Sequence, residues 1–349
     1  MPMEHHLTHQ ACCLNAPAAR PSDPQPACGP TLDPAAPLLF IINTASGQHT
    51  PDAVRAVIED ALRGAGRTGE FTSPHPAALA NAAQQAAMTA AARHTAVIAV
   101  GGDGTMNTVA QAAYTHGCAM GVLPQGTFNY FARTHGIPTE IAQAMQTLLH
   151  ATPSPVQAGL INDHIFLVNA SLGLYPELLE DREAYKARFG RNRLVAFGAA
   201  LVTLLGRHRQ LRLHIELGHH AREVKTPTLF VGNNRLQLEQ VGLALAPALD
   251  EGGITAVMLR PLGAWAMLGL VLRGALGTLG EAEPVESFKF HRMRVTPRLA
   301  WGVRSIKVAF DGEVCKMRGP LEFQVAPRPL YLLKPWPGAG ADTQDPGCT

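Results

Sequence analysis

The stretch that most constrains this chain runs from Thr95 to Asn107 and reads TAVIAVGGDGTMN. Its first part, Ala96 to Val100, is a short continuous apolar run, which is typical of a buried parallel strand. Three glycines follow within four positions and let backbone N–H groups approach a ligand without interference from a Cβ atom. A helix is predicted to follow with Thr105 as its N-cap, and its dipole would favour a bound phosphate. The pattern therefore predicts a phosphate site, with a plain tight turn as the alternative.

Two common phosphate loops are excluded by the residues around these glycines. No lysine follows them, as a Walker A loop requires. No Asp or Glu occurs between Asn107 and Thr139, although a dinucleotide fingerprint needs an acidic residue about 20 residues after its glycines. The turn itself contains Asp103, which would repel phosphates unless a cation lies between them. Asp103 therefore predicts Mg²⁺, bound directly or through water.

Four short segments together resemble the diacylglycerol kinase catalytic family, which includes bacterial lipid kinases and sphingosine kinases and is distantly related to NAD kinases and phosphofructokinases. The turn Gly101–Thr105 resembles the family's nucleotide loop. Asn43–Gly47, Leu123–Arg133 and Asp311–Glu313 resemble its Asn-Pro-x-Ser-Gly, Leu-Pro-x-Gly-Thr-x-Asn-x-Phe-Ala-Arg and Asp-Gly-Glu segments. The glycine turn alone does not distinguish these enzymes, whereas all four segments in the family's order are specific.

Three positions depart from the family pattern. Thr108 stands where many members carry Glu, which removes one carboxylate that could act near the metal. Thr44 replaces Pro in the first segment. Leu249–Gly253 resembles a Leu-Asp-Asp-Gly segment at which some bacterial members hold a structural Mg²⁺, but Glu251 replaces the second Asp.

The resemblance implies an ATP-dependent lipid kinase that uses Mg²⁺ and phosphorylates a primary hydroxyl of diacylglycerol or a related sphingoid or glycerolipid. It implies Glu313 as the proton acceptor, and Asp311 as the group that orients Glu313 or the metal-bound water. Asp103 and Glu251 are the implied metal ligands. The expected nucleotide contacts are Asn43, Thr44, Ala45, Ser46, Gly47, Thr72, Gly101, Gly102, Asp103, Gly104, Thr105, Met106, Asn107 and Thr127, and the expected substrate-cleft residues are Gly126, Asn129 and Arg133.

Asp311 and Glu313 also carry a prediction from spacing alone. They follow the apolar run Ile306–Phe310, which reads as a strand. If that strand continues, residues two apart point to one face, so both carboxylates would reach the same cleft. Their proximity would then raise one of the two pKa values unless a cation lies nearby. The alternative is a surface turn with a solvated acid on either side.

Alternating strand and helix patterns over residues 37–152 predict a doubly wound α/β nucleotide-binding domain. Residues 153–336 predict a mainly β domain, for which the resemblance implies a sandwich with the active site in the cleft between the domains. Residues 1–36 and 337–349 are predicted to be a disordered leader and tail, and Thr152–Pro155 the linker. The strands predicted in the second half are Val156–Ile161, Ile165–Ala170, Leu211–Leu217, Thr228–Gly232, Ile254–Leu259, Val303–Phe310 and Leu321–Val325.

Charge and composition limit the partners. A net charge of +2 is too close to neutrality to indicate nucleic acid. The six cysteines lack paired spacing, which argues against a disulfide framework and fits a cytoplasmic location. The arginines of Arg182–Arg209 lie among apolar residues and predict transient contact with an anionic membrane surface, a solvated helix being the alternative. No transmembrane segment is predicted, and a homodimer is compatible with the sequence.

Two other functions stay open. An NAD kinase has a similar glycine loop, although the late Asp-Gly-Glu and the segment Asn129–Arg133 favour a lipid kinase. A catalytically inactive nucleotide-binding or membrane-binding regulator is the second alternative. The presence of Asp103, Asp311 and Glu313 argues against it.

Overall fold

The computed structural model describes residues 29–44, 50–173, 210–240, 252–261 and 284–335, together with positions 176 and 269. Several sequence predictions lie outside these residues: the nucleotide contacts at Ala45, Ser46 and Gly47, the metal ligand Glu251, the membrane segment Arg182–Arg209 and the tail 337–349.

The first half of the chain alternates strands and helices, as predicted. The strands are β1 (Leu38–Ile42), β2 (Gly69–Thr72), β3 (Ala96–Gly101) and β4 (Ala119–Pro124), all parallel. The helices are α1 (Pro51–Gly64), α2 (Leu79–Ala92), α3 (Asp103–His116), α4 (Tyr130–Thr134) and α5 (Ile141–Leu149). Because β1, β3 and β4 are buried along their whole length, they are almost entirely apolar. Helix α1 packs against α5, and α2 packs against α3.

The rest of the chain is rich in antiparallel strands. The prediction of an α/β first half and a mainly β second half is therefore confirmed in outline. Its strands are β5 (Thr152–Val156), β6 (Gly159–Ile161), β7 (His164–Phe166), β8 (Asn169–Gly173), β9 (Leu211–Leu217), β10 (His220–Thr226), β11 (Thr228–Gly232), β12 (Ile254–Leu259), β13 (Val285–Phe290), β14 (Arg292–Pro297), β15 (Ile306–Phe310), β16 (Glu313–Met317), β17 (Leu321–Val325) and β18 (Leu330–Lys334), and the short helix α6 (Arg235–Gln240) follows β11.

Twelve of these strands form two antiparallel sheets with a common core. Their orders are β10-β9-β14-β17-β6-β7 and β13-β12-β11-β8-β15-β16. Apolar side chains of both sheets join one cluster: Leu213 and Phe323 come from the first sheet, and Leu229 and Val308 from the second. Such shared burial is what holds two sheets face to face.

The sheet of the first half is completed by strands from far along the chain. Its order is β2-β1-β3-β4-β18-β5, with β18 parallel to β4 and antiparallel to β5. Thr152–Pro155 is therefore an edge strand and not a linker. Pro153 and Pro155 fit there because an edge strand leaves some N–H groups unpaired. The boundary predicted at residue 152 consequently falls within this sheet, and residues 330–334 belong to the first sheet although they were assigned to the second domain.

Part of the predicted leader packs on the first half. The backbone N–H of Asp33 donates to the His94 carbonyl at 2.7 Å, and Leu32 contacts the hydrophobic core. Residues 29–32 also line a cavity of about 350 Å³ beside Cys118. Because Cys118 immediately precedes β4, this cavity lies at the amino ends of the strands, away from the glycine turns. Residues 29–36, which were predicted to belong to a disordered leader, are thus ordered.

Two of the predicted strands are each divided into two shorter strands in the structure. Val156–Ile161 breaks between β5 and β6, and Ile165–Ala170 breaks between β7 and β8. At the second break the N–H groups of Leu167 and Val168 donate to the carboxylate of Asp311 instead of to a neighbouring strand. The helices of the described residues include none that is long and apolar enough to cross a membrane.

Candidate active site

Turns after three adjacent strands are tied together at the carboxyl edge of the first sheet. Asn43, which follows β1, donates its backbone N–H to the Val100 carbonyl at 3.0 Å and its side-chain amide to Thr105 Oγ1 at 2.8 Å. Gln125, which follows β4, donates its N–H to the Gly101 carbonyl at 2.7 Å. This is the edge at which open parallel sheets bind ligands.

Two of the glycines are required because neighbouring groups leave no room for a Cβ atom at their positions. A Cβ atom at Gly101 would lie 2.5 Å from Thr105 Oγ1. A Cβ atom at Gly126 would lie 2.9 Å from the Gly102 Cα and 2.7 Å from Asn129 Oδ1. At Gly102 itself a Cβ atom would stand 3.4 Å from the Gly126 Cα, which the fold can accept. Any reason to keep glycine at 102 therefore comes from what occupies the space in front of the turn.

Helix α3 begins at Asp103, with Gly102 as its N-cap and without a side-chain cap. The prediction of Thr105 as N-cap was wrong, because Asp103 and Gly104 are already helical and the Thr105 hydroxyl accepts the amide of Asn43. Uncapped N–H groups at a helix start attract an anion. Met106 is removed from the candidate contacts, since its side chain is fully buried and its N–H donates to the Gly102 carbonyl.

Asp103 is half-buried beside this helix start. Burial raises the pKa of its carboxyl, and the backbone N–H groups of Phe131, Asn129 and Tyr130 oppose that rise. Its Oδ1 is buried and has no hydrogen-bond partner among the described residues. A buried, unpartnered carboxylate oxygen fits a magnesium ion or a water bound to one. No cluster of three or more His, Cys, Asp or Glu that could hold a metal occurs within the described ranges.

Glu313, the first residue of β16, reaches from the antiparallel region to the first turn of α3. A Cβ atom at Gly104 would lie 3.2 Å from Glu313 Oε1. Burial raises the pKa of the carboxyl, although the residue as a whole is still accessible to solvent. No hydrogen bond from a described residue holds its oxygens. The carboxylate is therefore free to accept a proton beside the glycine turns.

Asp311 and Glu313 diverge, contrary to the prediction that a continuing strand would place both on one face. Strand β15 ends at Phe310, which pairs with Glu313 across a two-residue turn. Asp311 and Gly312 occupy that turn with φ of 46° and 91°. Positive φ at both central positions is typical of a tight hairpin turn. Because the chain reverses there, Asp311 points into the protein and Glu313 points towards Gly104.

The Asp311 carboxylate accepts four hydrogen bonds. Its Oδ2 accepts from Leu167 N at 2.6 Å and from Asn107 Nδ2 at 2.7 Å, and its Oδ1 accepts from Val168 N at 2.8 Å and Asn169 N at 3.0 Å. Burial raises its pKa to about 6 against the opposing effect of these bonds. Mutual repulsion with Glu313 is not the cause of either raised pKa, which corrects the prediction made from their spacing. Asp311 anchors the turn and has no free oxygen for the reaction.

Asn107 connects α3 to this anchor. Its side-chain amide donates to Asp311 Oδ2 and, at 3.0 Å, to the Ile165 carbonyl. Both amide hydrogens are thus engaged within the protein, so the predicted nucleotide contact at Asn107 is replaced by a contact between the two halves of the chain. Gly104 and Asn107 share the first turns of α3, so the same helix touches Glu313 and holds Asp311.

Replacing Asn107 with alanine is expected to lower both stability and turnover. The loss of two buried hydrogen bonds should decrease the free energy of unfolding by about 1–3 kcal/mol. Because Asp311 and Glu313 share one hairpin, loosening Asp311 should also displace Glu313 and lower kcat more than it raises KM. Urea unfolding and steady-state kinetics measure the two effects.

Gln111 provides the matched control for this variant. It lies on the next turn of α3, accepts the Ile165 N–H at 2.8 Å and donates to the Asp163 carbonyl at 3.3 Å. Gln111→Ala should therefore weaken the same contact between the halves without touching the Asp311 hairpin. If both variants lowered kcat equally, Asn107 would have no particular role in positioning Glu313.

Sequence reasoning missed a second set of contacts between the halves. Asn234, buried at the start of α6, donates its amide to Thr134 Oγ1 at 2.8 Å and to the Tyr130 carbonyl at 3.3 Å. Next to it, Asn233 accepts from Gln157 Nε2 at 2.8 Å, a bond within the second half. These asparagines follow a glycine after a strand, a pattern that usually marks only a turn. No feature of the sequence distinguishes an asparagine that bonds to a distant segment from one that only forms a turn.

The other predicted site residues surround the glycine turns. Asn129 is buried in the left-handed conformation and closes its own turn, accepting from Gly126 N and donating to Gly126 O, both at 2.9 Å. Its role is to shape the loop. Among the predicted site residues, Thr44, Thr72, Thr127 and Arg133 are exposed at this edge.

Known proteins resemble this chain in sequence and in fold. Residues 37–161 match the diacylglycerol kinase catalytic domain. A probable lipid kinase, YegS-like, from Pseudomonas aeruginosa is 32% identical over 254 residues, which cover 70% of this chain and 78% of that protein. The chain belongs to the diacylglycerol kinase catalytic family. The resemblance that the four sequence segments indicated is thereby confirmed.

Further known proteins match over shorter or more divergent regions. A diacylglycerol kinase of Bacillus subtilis is 39% identical over 119 residues, or 33% of this chain and 39% of that protein. The chain spans only 31% of the length of another curated relative, from Synechocystis. The crystal structure of a putative diacylglycerol kinase from Bacillus anthracis superposes with a TM-score of 0.65 at 18% identity, covering 85% of this chain and 96% of that one. This last match concerns the fold alone.

Proposed function

We propose that this family member is a lipid kinase that transfers the γ-phosphoryl group of ATP to a primary hydroxyl of diacylglycerol or a related sphingoid or glycerolipid. The observation that carries the proposal is the position of Glu313, whose carboxylate lies against Gly104 at the start of α3 and has no hydrogen-bond partner in the described part of the chain. A base for the acceptor hydroxyl would thus lie next to the binding site for the phosphates. The named relatives, a probable lipid kinase and a diacylglycerol kinase, support the reaction class.

Each group has a role that follows from its surroundings. The open N–H groups at the start of α3 and the turn Gly101–Gly104 bind phosphate oxygens. Thr127 is exposed on the loop after β4, at the same edge of the sheet, and supplies a hydroxyl group to the phosphates. Glu313 takes the proton of the acceptor hydroxyl as the acceptor oxygen bonds to the γ-phosphorus and the bond from that phosphorus to the departing ADP breaks. Phosphoryl transfer needs little covalent help, so positioning and charge stabilisation account for most of the rate.

The residues present fit a magnesium ion beside Asp103. Its unpartnered Oδ1 would hold the ion or one of its waters. When bound, Mg²⁺ neutralises charge on the transferred phosphoryl group and its leaving group. Asp103 is half-buried, and the backbone N–H groups of Phe131, Asn129 and Tyr130 bond to its carboxylate, which restrains its position.

The deciding experiment is a radiolabelled ATP assay with Mg²⁺ against a lipid panel that also contains NAD⁺. The panel holds diacylglycerol, sphingosine, ceramide and phosphatidylglycerol, since each offers a primary hydroxyl near an apolar tail. Label in a lipid product supports the proposal and identifies the acceptor. Label in NADP⁺ alone would assign an NAD kinase, and ATP binding without transfer to any member would favour an inactive regulator.

Activity should also decline on the acid side at a pH higher than an exposed glutamate would give. Glu313 acts only when deprotonated, and burial raises its pKa above the ordinary value of 4.5. As the pH falls through the raised pKa, kcat should drop about tenfold per pH unit. A pH profile of kcat at saturating Mg-ATP measures this limb. A profile that is flat down to pH values near 4.5 would contradict the role of Glu313.

A further inference from the structure

A tryptophan at the end of the antiparallel region is fully exposed. Trp301 has a relative exposure of 101%, and Val303 beside it is 44% exposed. The N–H of Val303 donates to the Ala300 carbonyl at 3.0 Å, which closes a turn with Trp301 and Gly302 at its centre. Gly302 has φ of 83°, as the third residue of a type II turn requires. The turn therefore holds a large apolar side chain outward in a defined position.

The base of this turn is fixed to both sheets. Leu299 packs against the shared core, and the N–H of Arg298 donates to the Arg212 carbonyl of β9 at 2.7 Å. The segment then crosses to β15, which begins at Ile306. The backbone of an anchored turn has little freedom left to lose on binding, so an exposed tryptophan on it can contribute its whole apolar surface to a partner.

The surroundings of the turn are basic. The connections 298–305 and 318–320, both at this end of the sheets, contain Arg298, Arg304 and Arg318 and no Asp or Glu. Arg212 and Lys225 form a cross-strand pair next to the Arg298 attachment point. The nearby acid Glu223 is paired with Arg298 at 2.8 Å. Positive charge around an apolar tip is complementary to an anionic lipid surface.

We propose that the Trp301 turn docks the protein on an anionic lipid bilayer, with Trp301 and Val303 entering the interface and Arg304 and Arg318 contacting headgroups. Tryptophan suits this boundary because its ring is apolar and its indole N–H can bond to water or headgroups. The docking surface is separate from Arg182–Arg209, the segment for which membrane contact was predicted from sequence, and consists of described residues only.

The docked turn would lie one strand away from the reaction centre. Strand β15 has five residues and runs from the Trp301 end to the hairpin of Asp311 and Glu313, a length of roughly 15 Å. One leaflet of a bilayer has a hydrocarbon thickness of about 15 Å. A lipid that is partly withdrawn from the docked membrane can therefore keep its tail in the leaflet while its hydroxyl approaches Glu313. The delivery of a membrane lipid to Glu313 rests on the proposed function, whereas docking on the membrane does not.

The first test is co-sedimentation of the full chain with vesicles in the absence of nucleotide. We expect binding to vesicles that contain phosphatidylglycerol, weaker binding to phosphatidylcholine alone, and loss of the difference at high salt. Trp301→Ser should weaken binding to the anionic vesicles by roughly tenfold. Met88→Ser is the matched control, because Met88 is 56% exposed on α2 in the other half of the chain. Unchanged binding of Trp301→Ser, or an equal loss with Met88→Ser, would overturn the proposal.

A second test follows the tryptophan itself. The chain contains three tryptophans, so Trp265→Phe combined with Trp336→Phe leaves Trp301 as the only reporter. Its fluorescence should shift to shorter wavelength on anionic vesicles and become accessible to quenchers attached to lipid. An unshifted spectrum with vesicle-bound protein would overturn the proposal. So would a change in the mass of the free protein on Trp301→Ser, since the turn would then contact a second copy of the chain.

Discussion

Glu313→Gln is expected to lower kcat by about 100-fold or more while the affinity for Mg-ATP stays close to wild type. Glutamine has nearly the same shape but cannot take a proton. The Glu313 carboxylate lies at the first turn of α3, has no hydrogen-bond partner among the described residues, and has a pKa raised by burial. Single-turnover kinetics with the active lipid and calorimetric titration with Mg-ATP measure the two quantities separately.

Glu239→Gln is a suitable control for this substitution. Glu239 is an exposed carboxylate on α6 that pairs with Arg235 at 2.6 Å, so its loss should affect neither turnover nor nucleotide binding. Near-normal turnover of Glu313→Gln would falsify the assignment of the base. The role would then move to Asp103, because both oxygens of Asp311 are already occupied by N–H donors.

Gly102→Ala is expected to abolish measurable binding of Mg-ATP, a loss of at least about 100-fold in affinity, without unfolding the protein. The structure makes this variant a clean probe. The new methyl group would meet protein no closer than 3.4 Å, at the Gly126 Cα, so any large effect must come from the ligand side of the turn. Gly126→Ala would be ambiguous, since its methyl group would press on Asn129 Oδ1 at 2.7 Å.

Gly64→Ala serves as the matched control for the glycine turn. Gly64 ends α1 in the same half of the chain, and a Cβ atom there meets nothing within 4 Å. Its thermal midpoint and Mg-ATP affinity should both match the wild type. Unchanged Mg-ATP affinity for Gly102→Ala in calorimetry would mean that the phosphates bind elsewhere.

The elements predicted from sequence are those that local patterns specify. Strand Leu38–Ile42 is a continuous apolar run, as a buried strand requires, and Thr50 caps α1 with Pro51 at its first position. Apart from Thr152–Val156, five strands were missed, and four of the five carry two or more charged side chains at partly or fully exposed positions. The missed strands are His220–Thr226, Val285–Phe290, Arg292–Pro297, Glu313–Met317 and Leu330–Lys334.

The site was predictable in its residue types but not in its connections. Glycines and acids around a turn indicate a phosphate site wherever they occur in the chain. The bond between Asn107 and Asp311 joins residues 204 positions apart, and no local pattern reports such a pair. Left-handed backbone at Asp311 was also invisible, because an Asp before a Gly is compatible with several turns. These two features determine that Glu313, and not Asp311, faces the glycine turn.

The position of β18 has a consequence for how this chain reaches its native state. Tyr331 pairs with Ala119 and Leu332 with Met120, so β18 lies beside a strand that is synthesised about 210 residues earlier. Contacts of such sequence separation slow folding, because a long loop must close before they form. While a ribosome is still making residues 125–329, the exposed edge of β4 is a surface on which another strand could pair. A fragment limited to residues 37–161, the region that matches the catalytic domain, would keep that edge open permanently and should aggregate where the whole chain does not.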